Sequence, residues 1–153
     1  YNLGIPDARK LAIAVGEAWF KYPDGPPAEE ARSIKKIPSL NWKTLEGKTD
    51  TVLYSNGKRQ IELSIEEESV AIRLYIRGQK ALGLGPYLII KLDGQSIAKT
   101  MLTSEDWTPL VLTAKMSPGS HILEVEFTND LHKPELRQDR NLYLGDVEII
   151  YLN

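Results

Sequence analysis

The sequence predicts an all-β protein, an antiparallel β-sandwich or jelly roll of about eight to ten strands. From about residue 51 onward, apolar and polar residues alternate with a period of two. Turn-forming pairs such as Asp93-Gly94 and Pro118-Gly119 separate the alternating runs. Each run has one apolar and one polar side, as expected where two sheets bury only the surfaces that face each other.

The predicted strands follow one another at short, turn-punctuated intervals. In chain order the runs are "KRQIELSI" after the turn "SNG", "VAIRLYIRG", "PYLIIKL", "GQSIAKTML", "WTPLVLTAKM", "HILEVEF" and "NLYLGDVEIIYL". In the second run, Ile72 and Leu74 point to one side, while Arg73 and Tyr75 point to the other. Regular short strands of this kind are typical of sandwiches and jelly rolls.

The first 45 residues are less regular. In "RKLAIAVGEAWF", Leu11, Ile13 and Val15 have strand spacing, and Gly16 would weaken a helix by ~1 kcal/mol. We therefore expect a strand there, whereas "AEEARSIKK" is predicted to form one or two helical turns. Residues 1–45 are expected to be an N-terminal extension, a strand and loop packed on the sandwich, and residues 46–153 the sandwich itself.

Composition excludes several classes of function. The chain has 153 residues, enough for one domain with a sizeable core, and its net charge is −2, which argues against a nucleic-acid partner. No apolar run approaches the ~18 residues that span a membrane. There are no cysteines, so disulfides and thiolate metal sites are excluded, and two histidines are too few for a multi-histidine zinc site.

One stretch concentrates side chains that could do chemistry. "FTNDLHKPELRQDRNLYLGDVEI" leaves an apolar strand at Asn129 and Asp130, crosses a polar loop, and re-enters an apolar strand after Asp139 and Asn141. Two carboxylates could act as an acid/base pair on a glycosidic bond. They could also bind a hard cation together with amide and carbonyl oxygens. Alternatively, these side chains simply cap turns.

The same stretch carries a resemblance to a known family. "FTND", a loop containing Pro134, and "DRNLYL" before a closing strand resemble the C-terminal end of calcium-dependent carbohydrate-binding modules of the xylan-binding type. Upstream, "VAIRLYIRG", "GPYLIIKLDG" and "SPGSHILEVEFTND" resemble successive strands of that family, in the same order. The resemblance covers about residues 51–152.

This resemblance implies a β-sandwich whose end loops hold calcium, to which vicinal hydroxyls of a sugar bind directly. It makes Asp130, Asp139 and Asn141 the expected calcium ligands. The expected sugar contacts are four further residues: Asn129, His132, Arg140 and Tyr87. The implied function is non-catalytic binding of a polysaccharide by a module of an extracellular protein, whose partner would be a larger enzyme or a surface assembly.

Aromatic residues offer a second way to hold a sugar, because their faces pack on the apolar faces of pyranose rings. Tyr75 and Tyr87 lie at outward positions and are the better platform candidates, whereas Trp107, next to Pro109 before a strand, is expected to be a packing residue. Two other functions stay open. The sandwich could be a structural subunit of a surface filament, joined by strand addition, or a glycan-active enzyme that uses paired acids.

Overall fold

Twelve strands lie in the described residues, 18–19, 31–68 and 70–152, of the computed structural model. Their bounds are β1 Ala18–Trp19, β2 Ala31–Ile37, β3 Val52–Leu53, β4 Gly57–Ile65, β5 Val70–Gly78, β6 Tyr87–Leu92, β7 Gln95–Met101, β8 Thr108–Ala114, β9 Gly119–Phe127, β10 His132–Lys133, β11 Gln138–Asp139 and β12 Leu142–Leu152. Short 3₁₀ turns occupy Ser39–Asn41 and Pro134–Leu136. No helix in this part of the chain is long and apolar enough to cross a bilayer.

The strands form two antiparallel sheets and a small ribbon. The first sheet has the order β1-β8-β5-β12-β2, with β3 pairing the start of β12. The second has the order β4-β9-β6-β7, and β10 and β11 form the ribbon. The core lies between the sheets and is made of their inward-facing apolar residues, including Ile61, Leu74, Leu88, Val125 and Ile149. This architecture confirms the predicted all-β, antiparallel sandwich.

The predicted turns are present at the expected positions. Asp93 and Gly94 have φ values of 51° and 82° and connect β6 to β7, so the two-residue hairpin is confirmed. Asp93 also anchors this turn to the next strand, because its Oδ1 accepts a 2.9 Å hydrogen bond from Ile122 N. Inward and outward residues alternate from Ile61 to Ile65 in β4 and from Leu123 to Phe127 in β9, as the sequence predicts.

The helical turns predicted for "AEEARSIKK" are wrong for residues 31–36, the part of this segment that the structure describes. Residues 31–37 form strand β2, which pairs with β12 through matches such as Ile37 with Val147. A helix of two turns is poorly nucleated on its own, whereas β2 gains a full ladder along the edge of a formed sheet. The predicted strand around Leu11, Ile13 and Val15 lies outside the described residues.

A β-bulge interrupts β12 at Gly145 and Asp146. Leu144 pairs with Ile76 and Val147 with Leu74, so three steps along β12 match two steps along β5. On its other side β12 pairs with β3 before the bulge and with β2 after it. The segment before β3 closes the gap between them: Trp42 is fully buried, and its Nε1 donates to Gly145 O at 2.8 Å.

Candidate functional site

The loop between β9 and β12 folds back on itself as the β10–β11 ribbon. His132 pairs with Asp139 and Lys133 with Gln138, and Arg140 N donates to Leu131 O at 2.8 Å. Asp130 and Asn141 each lie one residue beyond this last contact. The antiparallel return therefore brings the segment that carries Asp130 next to the segment that carries Asp139 and Asn141.

Asn141 is held in one orientation by its neighbours. Its Nδ2 donates to Gln79 Oε1 at 2.8 Å and to Asp139 Oδ2 at 3.1 Å. With both amide hydrogens committed, the carbonyl oxygen Oδ1 faces away from these acceptors. That oxygen is buried and has no hydrogen-bond partner. The amide is therefore fixed with an unused acceptor.

Asp130 has an unused acceptor as well. Its backbone N–H donates to Asn56 Oδ1 at 2.7 Å, which ties the loop before β4 to this end of the sandwich. Its side-chain oxygen Oδ1 is buried without a hydrogen-bond partner. Buried acceptors of this kind are uncommon in folded proteins and costly when nothing pairs with them, so an ion, a water or a ligand atom is expected to pair with this oxygen.

Arg140 is turned inward, which departs from the expected direct contact with sugar. It is 5% exposed, and its guanidinium donates to three backbone carbonyls: Nε to Leu84 O at 2.8 Å, Nη1 to Asn129 O and Nη2 to Ala81 O, both at 2.6 Å. No carboxylate takes part in these contacts. The side chain instead fastens the 81–84 loop to the ribbon.

The three other expected sugar contacts, Asn129, Tyr87 and His132, differ in exposure and in whether the protein already holds their polar atoms. Asn129 is committed to backbone, since Oδ1 accepts from Tyr87 N at 2.7 Å and Nδ2 donates to Gly85 O at 3.1 Å. The side chain of Tyr87 is half-buried on the outer face of β6. The ring of His132 is largely exposed, with Nδ1 3.4 Å from Asp139 Oδ1.

Several residues of this end were not predicted from the sequence. Gln79, directly after β5, accepts hydrogen bonds from Asn141 and, at 2.9 Å, from the hydroxyl of Tyr143. Gln138 Oε1 accepts from Leu82 N at 2.8 Å. Single glutamines carry no local signal for such roles, because their partners lie about sixty residues away in the chain.

The donor set fits a calcium ion in part. Ca²⁺ takes six to eight oxygen ligands in irregular geometry, and a carboxylate and an amide oxygen without partners match that chemistry. Across residues 18–19, 31–68 and 70–152, however, no three His, Cys, Asp or Glu side chains converge closely enough to hold a metal. Amide, backbone and ligand oxygens would have to complete the shell.

The sequence profile of one family matches residues 71–150, more than half of the chain. Its description is "Ca-dependent carbohydrate-binding module xylan-binding", CBM60. This chain belongs to the CBM60 family. The match includes β5 to β9, the ribbon and almost all of β12, so it contains Asp130, Asp139 and Asn141. The predicted resemblance to xylan-binding, calcium-dependent carbohydrate-binding modules is confirmed.

Solved structures share the fold of this CBM60 chain at low sequence identity. The CBM36-1 domain of a multidomain xylanase from the hindgut metagenome of Trinervitermes trinervoides has a TM-score of 0.60 and 10% identity, over 79% of this chain and 99% of that one. A CBM36 in complex with calcium and xylotriose has a TM-score of 0.50 and 15% identity, over 75% and 98%. No curated protein sequence matches the chain.

The same architecture also occurs in a protein of a different kind. The insecticidal delta-endotoxin Cry8Ea1 of Bacillus thuringiensis has a TM-score of 0.58 and 13% identity, and the match covers 80% of this chain and 25% of the toxin. At such identities the likeness shows the sandwich fold and nothing about ligands. The ligand of this CBM60 chain therefore depends on the residues of its own site.

Trp107, expected to be a packing residue, packs on the surface of the first sheet and not in the core. Its side chain is 53% exposed, and it borders a cleft on the outer face of the first sheet. Tyr75, expected to face outward, lies in the same cleft and is half-buried. The sequence around Trp107 shows only that this residue precedes a strand. It does not show whether the indole enters the core or lies across the sheet surface.

Proposed function

We propose that this chain is a non-catalytic polysaccharide-binding module of an extracellular protein, and that it holds a sugar diol through a calcium ion at the ribbon end. The observation that carries the proposal is the pair of buried, unpartnered oxygens, Asp130 Oδ1 and Asn141 Oδ1, on the two chain segments that flank the ribbon. Membership of a calcium-dependent, xylan-binding family supports the choice of ion and ligand.

Asp130 and Asn141 would supply the ion's protein oxygens, with Asp139 as the third candidate ligand. When bound, calcium offers open coordination positions that two adjacent sugar hydroxyls can fill in place of water. Asn141 is prepared for this because its amide hydrogens are already committed to Gln79 and Asp139. His132, exposed beside Asp139, is positioned at the rim where a bound sugar would meet solvent.

Arg140 and Asn129 would contribute by holding the loops rather than by touching sugar. Arg140 binds carbonyls of Ala81, Leu84 and Asn129, and Asn129 binds the backbone of Gly85 and Tyr87. A ligand set fixed in advance loses less conformational entropy on binding, which favours affinity. These contacts are independent of any ion, so the loops keep their positions when calcium is removed.

The test measures xylohexaose binding by isothermal titration calorimetry, in millimolar calcium and again in excess EDTA. For the wild type, calcium is expected to raise the affinity at least about tenfold and to raise the melting temperature, because the ion binds only the folded chain. Asp130→Ala should remove both calcium effects and leave the EDTA melting temperature unchanged or higher, since it deletes a buried, unpartnered carboxylate oxygen.

Glu135→Gln is the matched control. Glu135 is an exposed acid in the 3₁₀ turn of the same loop, so its change alters the loop's charge without touching the unpartnered oxygens. It should keep the full calcium response. If calcium changes neither sugar affinity nor melting temperature in the wild type, the ion-bridged mode of binding is wrong, whatever binding survives in EDTA.

A further inference from the structure

A cleft of about 440 Å³ lies on the outer face of the first sheet, directly over the bulge of β12. Its volume is within the range of small-ligand sites. Three aromatic residues, Tyr75, Trp107 and Tyr143, and three polar residues, Ser39, Thr51 and Asp146, contribute to its lining. None of them is a predicted calcium ligand, and only Tyr75 is among the predicted sugar platforms.

The rings of the cleft are held in place by the sheet beneath them. The indole of Trp107 lies against Gly145, where an added Cβ would be 3.0 Å from Trp107 Cζ3 and 3.0 Å from Tyr75 O. The guanidinium carbon of Arg77 is 4.4 Å from the ring centroid of Tyr143 and 5.9 Å from that of Trp107. These cation–π contacts orient both rings while Trp107 stays half-exposed.

Polar groups at the cleft suit sugar hydroxyls. Asp146 Oδ1 accepts from Ser39 N at 2.8 Å and Oδ2 pairs with Lys36 Nζ at 3.0 Å, so the carboxylate is fixed at the wall. The hydrogen bond from Lys36 and the N–H of Ser39 hold the pKa of Asp146 below its usual value. A fixed, ionised acceptor with hydroxyls of Ser39 and Thr51 nearby can bind the edge of a pyranose ring whose face stacks on an indole.

The cleft also adjoins the ribbon end. Tyr143 lies two residues after Asn141 on the same chain segment, and both donate to Gln79 Oε1. The cleft continues along β12 to Asp146, which at about 3.3 Å per residue is a distance that a short oligosaccharide spans. A polysaccharide held at the ribbon therefore has an aromatic surface within its reach.

We propose that this cleft is a second carbohydrate site, independent of calcium, which stacks a β-linked pyranose chain on Trp107. The flat apolar faces of equatorially substituted sugars match an exposed indole, and the fixed carboxylate and hydroxyls bind the ring edges. The site does not depend on the ion-bridged site of the ribbon, so each can be present without the other.

The experiment titrates the full chain with xylohexaose and cellohexaose in excess EDTA, following tryptophan fluorescence and heat. Trp42 is fully buried, and loss of the fluorescence change in Trp107→Phe separates the signal of Trp107 from that of the third tryptophan, Trp19. The wild type should bind at least one of the two sugars, and Trp107→Ala should weaken that binding about tenfold or more. Trp107→Phe, which keeps an aromatic face, should recover part of it.

Tyr54→Ala is the matched control, because Tyr54 is a 65% exposed aromatic residue outside the cleft and should leave the EDTA affinity unchanged. Asp130→Ala should also leave it unchanged, while Trp107→Ala should keep the increment that calcium adds. The proposal is overturned if neither sugar binds in EDTA, or if Trp107→Ala binds as well as the wild type. Concentration-dependent self-association that quenches the indole without any response to sugar would assign the cleft to a second copy and also overturn it.

Discussion

The ribbon end and the aromatic cleft differ in how they are built. At the ribbon end the functional candidates are polar and range from the buried Arg140 and Asn141 to the largely exposed His132, and two buried side-chain oxygens there have no hydrogen-bond partner. At the cleft the candidates are ring faces, and Trp107 is open to solvent. The ribbon end can bind an ion, whose ligand atoms must lie at defined positions. The cleft can bind only the face and the edges of a sugar ring.

The two regions are also held in shape by different structural features. The ribbon end is held by one charged side chain that satisfies three carbonyls from two loops. The cleft is made by one extra residue in β12, which opens the ladder and lets a ring approach the backbone at Gly145. Substitutions at Arg140 and at the bulge of β12 should therefore each affect one region more than the other. Three predictions follow from this difference.

The largest effect is expected for Arg140→Ala. It removes three charge-assisted hydrogen bonds, to the carbonyls of Ala81, Leu84 and Asn129. Ala81 O and Leu84 O keep the backbone hydrogen bonds from Leu84 N and Ala81 N. At ~1 kcal/mol or more for each charge-assisted hydrogen bond lost, the free energy of unfolding should fall by about 3 kcal/mol. Urea denaturation monitored by circular dichroism measures the loss, and sugar titration in calcium should show a parallel loss of the calcium increment.

Arg140→Lys sharpens this test. A lysine keeps the positive charge but cannot direct three donors in the planar fork that the guanidinium provides, so it should recover less than half of the lost stability. Full recovery by lysine would mean that charge alone holds the loops. In the folded fraction, EDTA-resistant binding at the cleft should persist in both variants, because the bonds of Arg140 lie on the loops of the ribbon end.

The sequence shows the ribbon end more clearly than the cleft, for a physical reason. Asp130, Asp139 and Asn141 bracket a loop between two alternating runs, so their convergence follows from one antiparallel return of the chain. The role of Arg140 does not follow, because its acceptors at Ala81 and Leu84 are almost sixty residues distant and are backbone atoms. A basic residue in a polar loop gives no sign that it will turn inward.

The cleft is harder to predict because no single segment contains it. Trp107, Tyr75 and Tyr143 come from a loop and two strands, and only the bulge at Gly145 lets the indole lie over the sheet. The alternation in "NLYLGDVEII" breaks at this point, and that break is the signal that locates the bulge. Residues 31–37 likewise form a strand because they pair with β12, which their local sequence does not predict.

A smaller effect, confined to the cleft, is expected for Gly145→Ala. The new methyl group would meet Trp107 and the carbonyl oxygen of Tyr75, each at 3.0 Å, and the carbonyl cannot move without distorting β5. Crowding of this kind should cost about 1–3 kcal/mol of stability. It should displace the indole and weaken EDTA-resistant sugar binding, while the calcium increment stays unchanged.

Gly57→Ala is the control for the loss of a glycine. A Cβ at Gly57 would meet its nearest atom, Leu53 Cδ2, at an ordinary 3.5 Å, so this variant should be as stable as the wild type or slightly more stable. Denaturation curves of both variants separate crowding from the general effect of replacing glycine in a strand. Equal sugar binding in EDTA by Gly145→Ala and the wild type would show that the position of Trp107 is not set by this contact.

The smallest effect concerns the pH dependence of the salt bridge between Asp146 and Lys36 at the cleft wall. Hydrogen bonding to Lys36 and to Ser39 N lowers the pKa of Asp146 from its usual 3.8, and the same pair raises the pKa of Lys36 above its usual 10.5. The lowered pKa of Asp146 gives stability that is complete above 3.8 and is lost as the pH falls through the folded-state value. The raised pKa of Lys36 gives stability that is complete below 10.5 and is lost as the pH rises through its folded-state value.

Asp146→Asn should therefore melt slightly below the wild type at neutral pH, and the difference should shrink on acidification below pH 3.8. The difference should be small because the Lys36 side chain is 62% exposed and that of Asp146 33% exposed, so solvent screens the pair. Asp106→Asn, at an exposed acid before β8, is the matched control because it removes the same charge outside this salt bridge. Melting curves from pH 7 down to acid measure the difference, and one that grows as the pH falls would contradict the assigned sign. Such a result would mean that the carboxylate at the cleft wall is held protonated and cannot serve as the ionised acceptor proposed for sugar hydroxyls.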